Sequence, residues 1–335
     1  MNSNTIFDAN LFQQKLFSLA EIDFEAAALQ LFKFQYNQNA IYRKYCELIG
    51  IQHEKVVSLS SIPFLPISFF KSHQLKTTSF EAEEVFTSSG TSSSLTSKHS
   101  VKEIQLYEQS FEHAFEHFYG EINQYRILAL LPSYLERNGS SLVYMANQLI
   151  NKSGYTESGF FLNDLDELNN TLNKLATQNQ KVLLIGVSFG LLDFMESFEP
   201  IKNSNLIIME TGGMKGRRKE LVREELHKIL NLGFKTTRIH SEYGMTELLS
   251  QAYSKGEGKF ETPPWMKVKV REQDDPFSYA AFGETGGINI IDLANIYSCA
   301  FIQTDDLGKL VTKNKFEVLG RFDAAEVRGC NLLIS

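Results

Sequence analysis

Lys181-Val182-Leu183-Leu184-Ile185 is a lysine followed by an unbroken apolar run, and its reading decides the fold. A short run of this kind suits a strand buried on both faces, as in a parallel sheet covered by helices. A helical pattern follows through Phe194, then a second strand-like run, Asn205–Met209. Downstream, an amphipathic helix is expected over Lys219–Leu230, a strand over Thr236–His240 and a further helix from near Thr246. Upstream, Tyr125–Leu131 ends at Pro132 and reads as another buried strand, before helical periodicity over Gly139–Ile150. Strands alternating with helices require crossover connections, so the expected class is α/β with a mostly parallel sheet.

The flanks differ. From residue 8 to about 48, Phe12, Leu16, Leu19, Leu29 and Phe32 recur at helical spacing. Then Ile62-Pro63-Phe64-Leu65-Pro66 sets two prolines three apart, which enforces an extended path packed on a core. After residue 265 the segments shorten to strands over Lys267–Val270, Gly287–Ile291, Ala300–Gln303, Lys309–Val311 and Phe316–Leu319. Three regions are expected: a helical N-terminal segment over 1–80 packed on the main domain, an α/β core over 81–264 and a smaller β-rich region over 265–335.

Composition narrows the function classes. The 335 residues are 43% hydrophobic and 22% charged, which fits an ordinary globular protein. A net charge of −7 gives no basic excess for phosphate neutralisation, so nucleic acid is not an expected partner. Met1-Asn2-Ser3-Asn4 lacks the basic and apolar regions of a secretory signal. The most apolar stretch, Val182–Met195, is interrupted by Gly186, Ser188 and Gly190 and is too short to span a bilayer, so no transmembrane segment is expected. Cys46, Cys299 and Cys330 are far apart and odd in number, which argues against a disulfide scaffold and for a reducing, cytoplasmic compartment. The 26 phenylalanines suit an apolar tunnel or a plain core equally.

Four short signals carry chemistry, each with a bland alternative. Thr87-Ser88-Ser89-Gly90-Thr91-Ser92-Ser93-Ser94 follows a strand-like Glu84-Val85-Phe86. Small hydroxyl residues around a glycine let backbone N–H groups approach a phosphate, but the same composition makes a flexible linker. Tyr243-Gly244-Met245-Thr246-Glu247 is expected at a strand-to-helix turn, where open α/β sheets bind ligands. There Gly244 allows a tight turn, and Thr246 and Glu247 either cap the helix or serve the ligand, Glu247 as a Mg²⁺ carboxylate beside phosphates. Asp305-Asp306-Leu307-Gly308 either marks a turn between strands or offers a carboxylate to ribose hydroxyls. In Gly320-Arg321-Phe322-Asp323, Arg321 is either an exposed turn residue or a cation near ribose or phosphate.

Other features are less specific. Gly212-Gly213 leaves room for a flat ring. Lys215, Arg217, Arg218 and Lys219 crowd an expected helix start, as a solvated patch or an anion site. His113-Ala114-Phe115-Glu116-His117 matches a zinc-peptidase pattern but comes with no third ligand. Cys330, five residues from the C-terminus, is either a small hydrophobe or a thiol whose thiolate Arg328 would favour.

In their order along the chain these signals resemble the adenylate-forming enzymes, the acyl-CoA synthetases and phenylacetate–CoA ligases. Ser88-Ser89-Gly90-Thr91-Ser92 looks like their phosphate loop and Tyr243-Gly244-Met245-Thr246-Glu247 like their most recognisable motif. Glu210-Thr211-Gly212-Gly213 falls where they bind adenine, Thr304-Asp305-Asp306 where they bind ribose, and Gly320-Arg321-Phe322-Asp323 at their hinge. Ile62-Pro63-Phe64-Leu65-Pro66, Leu131-Pro132-Ser133-Tyr134-Leu135-Glu136-Arg137 and Arg328-Gly329-Cys330 are similar to the acyl-protein synthetases of luminescence systems, the long-chain-fatty-acid–luciferin-component ligases, over nearly the whole chain.

The resemblance implies a nucleotide-binding core, ATP and Mg²⁺ as cofactors and a carboxylic, fatty acid substrate. It also implies Cys330 as acyl acceptor and an acyl-CoA or acyl-protein reductase as partner. The phosphate loop lacks the second glycine of the superfamily and Lys98 lies out of register. The chain ends just past the hinge, so the mobile C-terminal domain with its catalytic lysine is expected to be absent, which favours Cys330 over CoA. Acyl-CoA or carrier-protein ligation, ATP-independent acyl transfer and a scaffolding subunit of an acyl complex remain alternatives.

Overall fold

The computed structural model describes residues 7–18, 20, 23–88, 96–133, 137–199, 203–212 and 221–322. The N-terminal helices are α1 (Ala9–Leu16), α2 (Phe24–Gln38) and α3 (Ala40–Leu48). Asp8 caps α1 by accepting the Leu11 N–H at 3.0 Å, and Asn39 caps α3 through the Tyr42 N–H, also at 3.0 Å. Phe24, Ala28, Leu31 and Phe32 form the buried stripe of α2. The proline-bearing segment is extended, as expected: β1 (Leu65–Pro66) runs parallel to residues 302–303, far along the chain. Tyr42 and Tyr45 hold it there, donating hydroxyls to the carbonyls of Pro63 and Phe64 at 2.6 and 3.0 Å.

A short helix α4 (Phe69–Ser72) leads to the hairpin of β2 (Glu84–Thr87) and β3 (Lys98–Val101) and then to α5 (Ile104–Tyr119). Next come β4 (Arg126–Leu130), α6 (Ser141–Ser153), β5 (Gly159–Phe160), α7 (Leu165–Thr177), β6 (Val182–Gly186), α8 (Ser188–Ser197), β7 (Leu206–Thr211), α9 (Arg223–Gly233) and β8 (His240–Tyr243). Adjacent strands in the order β5-β4-β6-β7-β8 are parallel. Residues 182–185 are at most 2% exposed, so both faces of β6 are covered, which is why no polar alternation shows in the sequence. The helices follow local rules: α7 is capped by Asp164, carries Asp166 and Glu167 in its first turn and buries Leu168, Leu172 and Leu175 along one stripe.

From β8 onward neighbouring strands turn antiparallel. The sheet continues through β9 (Ala252–Ser254), β10 (Lys259–Glu261), β14 (Lys315–Arg321), β13 (Phe301–Thr312), β12 (Gly286–Asp292) and β11 (Met266–Arg271). With β1 on the side of β13, twelve strands among the described residues share one sheet. The late β segments therefore extend the parallel core edge to edge.

Three local expectations are corrected. The strand expected over Thr236–His240 begins only at His240, because Lys235 takes a positive φ of 50° and pairing with β7 starts at Met209 opposite His240. The strands expected over Ala300–Gln303 and Lys309–Val311 are one strand, β13, running straight through Asp305-Asp306. Gly308 marks a close approach there, not a turn: a Cβ would stand 2.4 Å from the Glu317 carbonyl oxygen and 2.7 Å from Ile288 Cδ1. The third correction is the helix from Thr246, which does not form, as described below.

Candidate active site

Strand β8 carries Glu242 and Tyr243 to the C-terminal end of the parallel sheet and points them to opposite faces. On one face Thr211, in register with Glu242 on β7, donates its hydroxyl to Glu242 Oε2 at 2.9 Å. On the other, Glu210 accepts from Arg223 Nε at 3.1 Å and lies 3.4 Å from His227 Nε2. The two buried carboxyls shift oppositely. Burial raises Glu242 to about 7, with Thr211 opposing and the Glu210 charge adding to the rise. Burial also pushes Glu210 up, but its bond to His227 and the Arg223 charge outweigh this and hold it low.

The Tyr243–Glu247 corner has no helix after it; residues 244–250 form an irregular turn into β9. Its backbone groups are claimed by side chains from elsewhere. Buried Asp292 accepts the Leu249 and Ser250 N–H groups at 2.8 and 3.0 Å and the Ser250 hydroxyl at 2.6 Å. Asn295 Nδ2 donates to the Glu247 carbonyl at 2.8 Å, and His99 Nδ1 lies 2.8 Å from the Thr246 carbonyl oxygen. Burial lowers His99 to about 4, opposed by the oxygens of Thr246 and Asn295 that face its two ring nitrogens. Thr246 is therefore not a helix cap. Gly244 is required for space: a Cβ there would meet Glu242 Oε1 at 2.5 Å and Gln251 Cγ at 3.2 Å.

The base of the serine-rich loop meets this corner. Ser88 donates its N–H to the Ser97 carbonyl at 3.1 Å and accepts the Ser97 N–H on its hydroxyl at 2.9 Å. Burial raises Glu247 above the usual carboxylate range, opposed by a hydrogen bond with the Ser97 side chain and by the Lys71 charge. Ser97 is thus bonded to Ser88, and its side chain favours the ionised Glu247 against the effect of burial. Ser89, Gly90, Thr91 and Ser92 lie outside the described residues, and Lys98 is exposed.

The late aspartate pair arrives from the other side. Tyr243 donates its hydroxyl to Asp306 Oδ2 at 2.7 Å; burial and the Asp306 charge keep the phenol protonated. Burial raises Asp306, while Tyr243 and the Arg321 charge oppose the rise. Asp306 stands opposite Arg321 in the β13–β14 register, yet the exposed Arg321 guanidinium sits 3.3 Å from Asp305 Oδ2. Thr304 braces the strand, donating to the Ile288 carbonyl at 2.8 Å and accepting the Asp306 N–H at 3.1 Å. Gly212 closes β7 at a positive φ of 43°. Gly213, the cations at 215–219 and Cys330 lie outside the described residues.

Ser88, Tyr243, Glu247 and Asp306 are therefore brought to one place, with Thr246 half-buried among them and Arg321 at the rim. Sequence reasoning missed Ser97, His99, Glu242, Asp292 and Asn295. None stands in a recognisable spacing, and only burial and long-range bonds reveal them. Cys46 and Cys299 are buried with thiols pushed up to about 12, which leaves them inert as nucleophiles. His113 and His117 pack against Phe17 and Phe118, each at 4.9 Å between ring centroids. Among the described residues, no group of three or more His, Cys, Asp or Glu residues is placed to hold a metal, and no helix is long and apolar enough to cross a membrane.

Known proteins resemble this arrangement at two levels. In fold, the chain matches an open conformation of 2-hydroxyisobutyryl-CoA ligase in complex with 2-HIB-AMP and CoA, with a TM-score of 0.66 and 11% identity over 96% of this chain and 81% of that one. It also matches ATP-bound MatB from Rhodopseudomonas palustris, with a TM-score of 0.53 and 15% identity over 71% of this chain, and spans 47% of that ligase. The fold is thus that of adenylate-forming ligases. In sequence, it is 25% identical to the long-chain-fatty-acid–luciferin-component ligase of Vibrio harveyi, over 91% of this chain and 85% of the relative. Identity to the Aliivibrio fischeri ligase of the same name is 23%, over 90% and 85%. The family model described as acyl-protein synthetase, LuxE, matches residues 3–335, and the chain belongs to that family.

Proposed function

We propose that this protein activates a fatty acid with ATP and passes the acyl group to its own Cys330. In the first step a carboxylate oxygen of the acid attacks the α-phosphorus of ATP, and the bond to the leaving pyrophosphate breaks. In the second, the Cys330 thiolate attacks the acyl carbonyl carbon, AMP leaves and the thiol proton goes to solvent. The acyl group then moves on to a partner, a reductase, in the cytoplasm. The fatty acid follows the names of the luciferin-component ligases.

The observation that carries the assignment is the 2.7 Å bond from Tyr243 of the corner to Asp306, with the strand that follows the serine-rich loop fastened to the same corner by His99 at the Thr246 carbonyl. Backbone N–H groups of the loop would receive the phosphates and Asp306 the ribose hydroxyls, with Thr246 beside the α-phosphate. Tyr243 and the Gly212-Gly213 turn would border the base, and Arg321 would face the ribose from the rim. Glu247 suits Mg²⁺ arriving with ATP, since that ion is commonly held by one or two carboxylates plus phosphate oxygens. The ion would neutralise charge on the leaving pyrophosphate. Cys330 lies eight residues past Phe322, a length of chain that spans at most roughly 26–29 Å. A thiol on the same chain gains effective concentration when it reaches the acyl carbon.

The test combines acid-dependent ATP–pyrophosphate exchange with labelling by radioactive fatty acid. Cys330→Ser should keep exchange and lose acid-stable, hydroxylamine-sensitive label on the protein. A Cys330→Ser protein that labels like its parent would remove the acceptor from this scheme, and absence of exchange with every fatty acid would remove the first step.

A further inference from the structure

The corner that bears Thr246 and Glu247 lacks the regular structure that normally fixes peptide orientation, yet both its carbonyls are bound. His99 reaches the Thr246 carbonyl and Asn295 the Glu247 carbonyl, and the two side chains meet at 3.1 Å between His99 Nε2 and Asn295 Oδ1. Both are buried, at 1% exposure each. Asn295 is gripped in turn: Gln35 on α2 donates to the carbonyls of Asn295 and Ile296 at 2.8 and 3.0 Å and accepts the Ala300 N–H at 3.0 Å.

His99 also sits two residues past Ser97 on the extended chain, so the two side chains leave the same face. His99 takes hold of the Thr246 carbonyl, just before Glu247, while Ser97 favours the ionised Glu247 carboxyl against burial. A carbonyl turned inward fixes the plane of its peptide, and with it the direction in which the next side chain leaves the backbone.

From this the geometry points to His99 and Asn295 as positioning residues. They lock the Thr246–Glu247 peptide so that the Glu247 carboxylate faces the base of the serine-rich loop, where the triphosphate and its divalent ion are received. This role rests on the functional assignment above, which it deepens. It makes the loop base and the corner one rigid unit, set by side chains that touch neither nucleotide nor acid.

The test compares the full-length parent with His99→Leu, Asn295→Leu and the conservative His99→Asn, whose amide can donate from near the former Nδ1 position. Affinity for Mg²⁺–ATP is read by titration calorimetry. KM and kcat are read by pyrophosphate exchange, and folding by a cooperative thermal melt. His99→Leu and Asn295→Leu should weaken Mg²⁺–ATP binding at least tenfold and lower kcat, while His99→Asn stays within about threefold of the parent.

A purely structural role would lower the melting temperature of the leucine variants and leave affinity and kcat of the folded protein within twofold; that result overturns the inference. Should the leucine variants not fold, His99→Asn and Asn295→Ser carry the same comparison, the first expected to retain binding and the second to lose it, and equal binding by both overturns it. A parent that neither binds Mg²⁺–ATP nor exchanges pyrophosphate refutes the functional assignment itself.

Discussion

Replacing Glu242 by glutamine should change little below about pH 4.5 and stabilise the protein increasingly as pH rises from there to about 7. The Glu242 carboxyl is raised from 4.5 to about 7, first by burial and then by the Glu210 charge. Between those values the folded chain holds a proton that the unfolded chain has released. Stability therefore falls as pH rises through this window and levels off above it. At 1.36 kcal/mol per pH unit, the cost of ionising Glu242 in the folded state is about 3 kcal/mol by pH 8. Glutamine is nearly isosteric, keeps an oxygen for the Thr211 hydroxyl and carries no charge. Urea unfolding, followed by fluorescence of the single, buried Trp265, should show the variant gaining on the parent by about 3 kcal/mol between pH 4.5 and pH 8. A stability difference that stays constant over that range would refute the account of Glu242 as a carboxyl kept neutral by its surroundings.

Further outcomes follow from the same geometry. Asp292→Ala strips the acceptor from the N–H groups of Leu249, Ser250 and Ala294 and should lower stability by roughly 3 kcal/mol or more, read from the urea midpoint, since each unsatisfied buried donor costs roughly 1–3 kcal/mol. Gly244→Ala drives a methyl into Glu242 Oε1; it should cost about 1–3 kcal/mol in a thermal melt and abolish pyrophosphate exchange, and an active, stable variant would show that the corner has slack. Tyr243→Phe removes the 2.7 Å bond to Asp306, worth about 1.5–3 kcal/mol for a charged acceptor. Its expected signature in steady-state kinetics is a raised KM for ATP.

The parallel core was legible because β4, β6 and β7 are dense apolar runs whose pattern survives without context. The Tyr243–Glu247 corner was legible as a turn after a strand but misread as a helix start. Locally, a threonine and a glutamate before apolar residues look like a cap. What prevents the helix is Asp292, which captures the Leu249 and Ser250 N–H groups from more than forty positions away. His99 and Asn295 were invisible for the same reason: their bonds to the corner span 147 and 48 residues. The Asp305-Asp306 stretch was ambiguous because Gly308 serves a close strand contact that short spacing cannot distinguish from a turn.

The bond from Gln35 to Asn295 joins residues 260 positions apart, and β1 likewise waits for β13. During synthesis at about 5–20 residues per second, α2 emerges on the order of 13–52 s before its partner exists. Throughout that interval Phe32 can meet Tyr36 and Tyr42 but not Phe301, and Phe24 waits for Lys267. The nascent chain must be shielded by transient collapse or a chaperone, and the Tyr243–Glu247 corner is among the last parts of the molecule to acquire its shape.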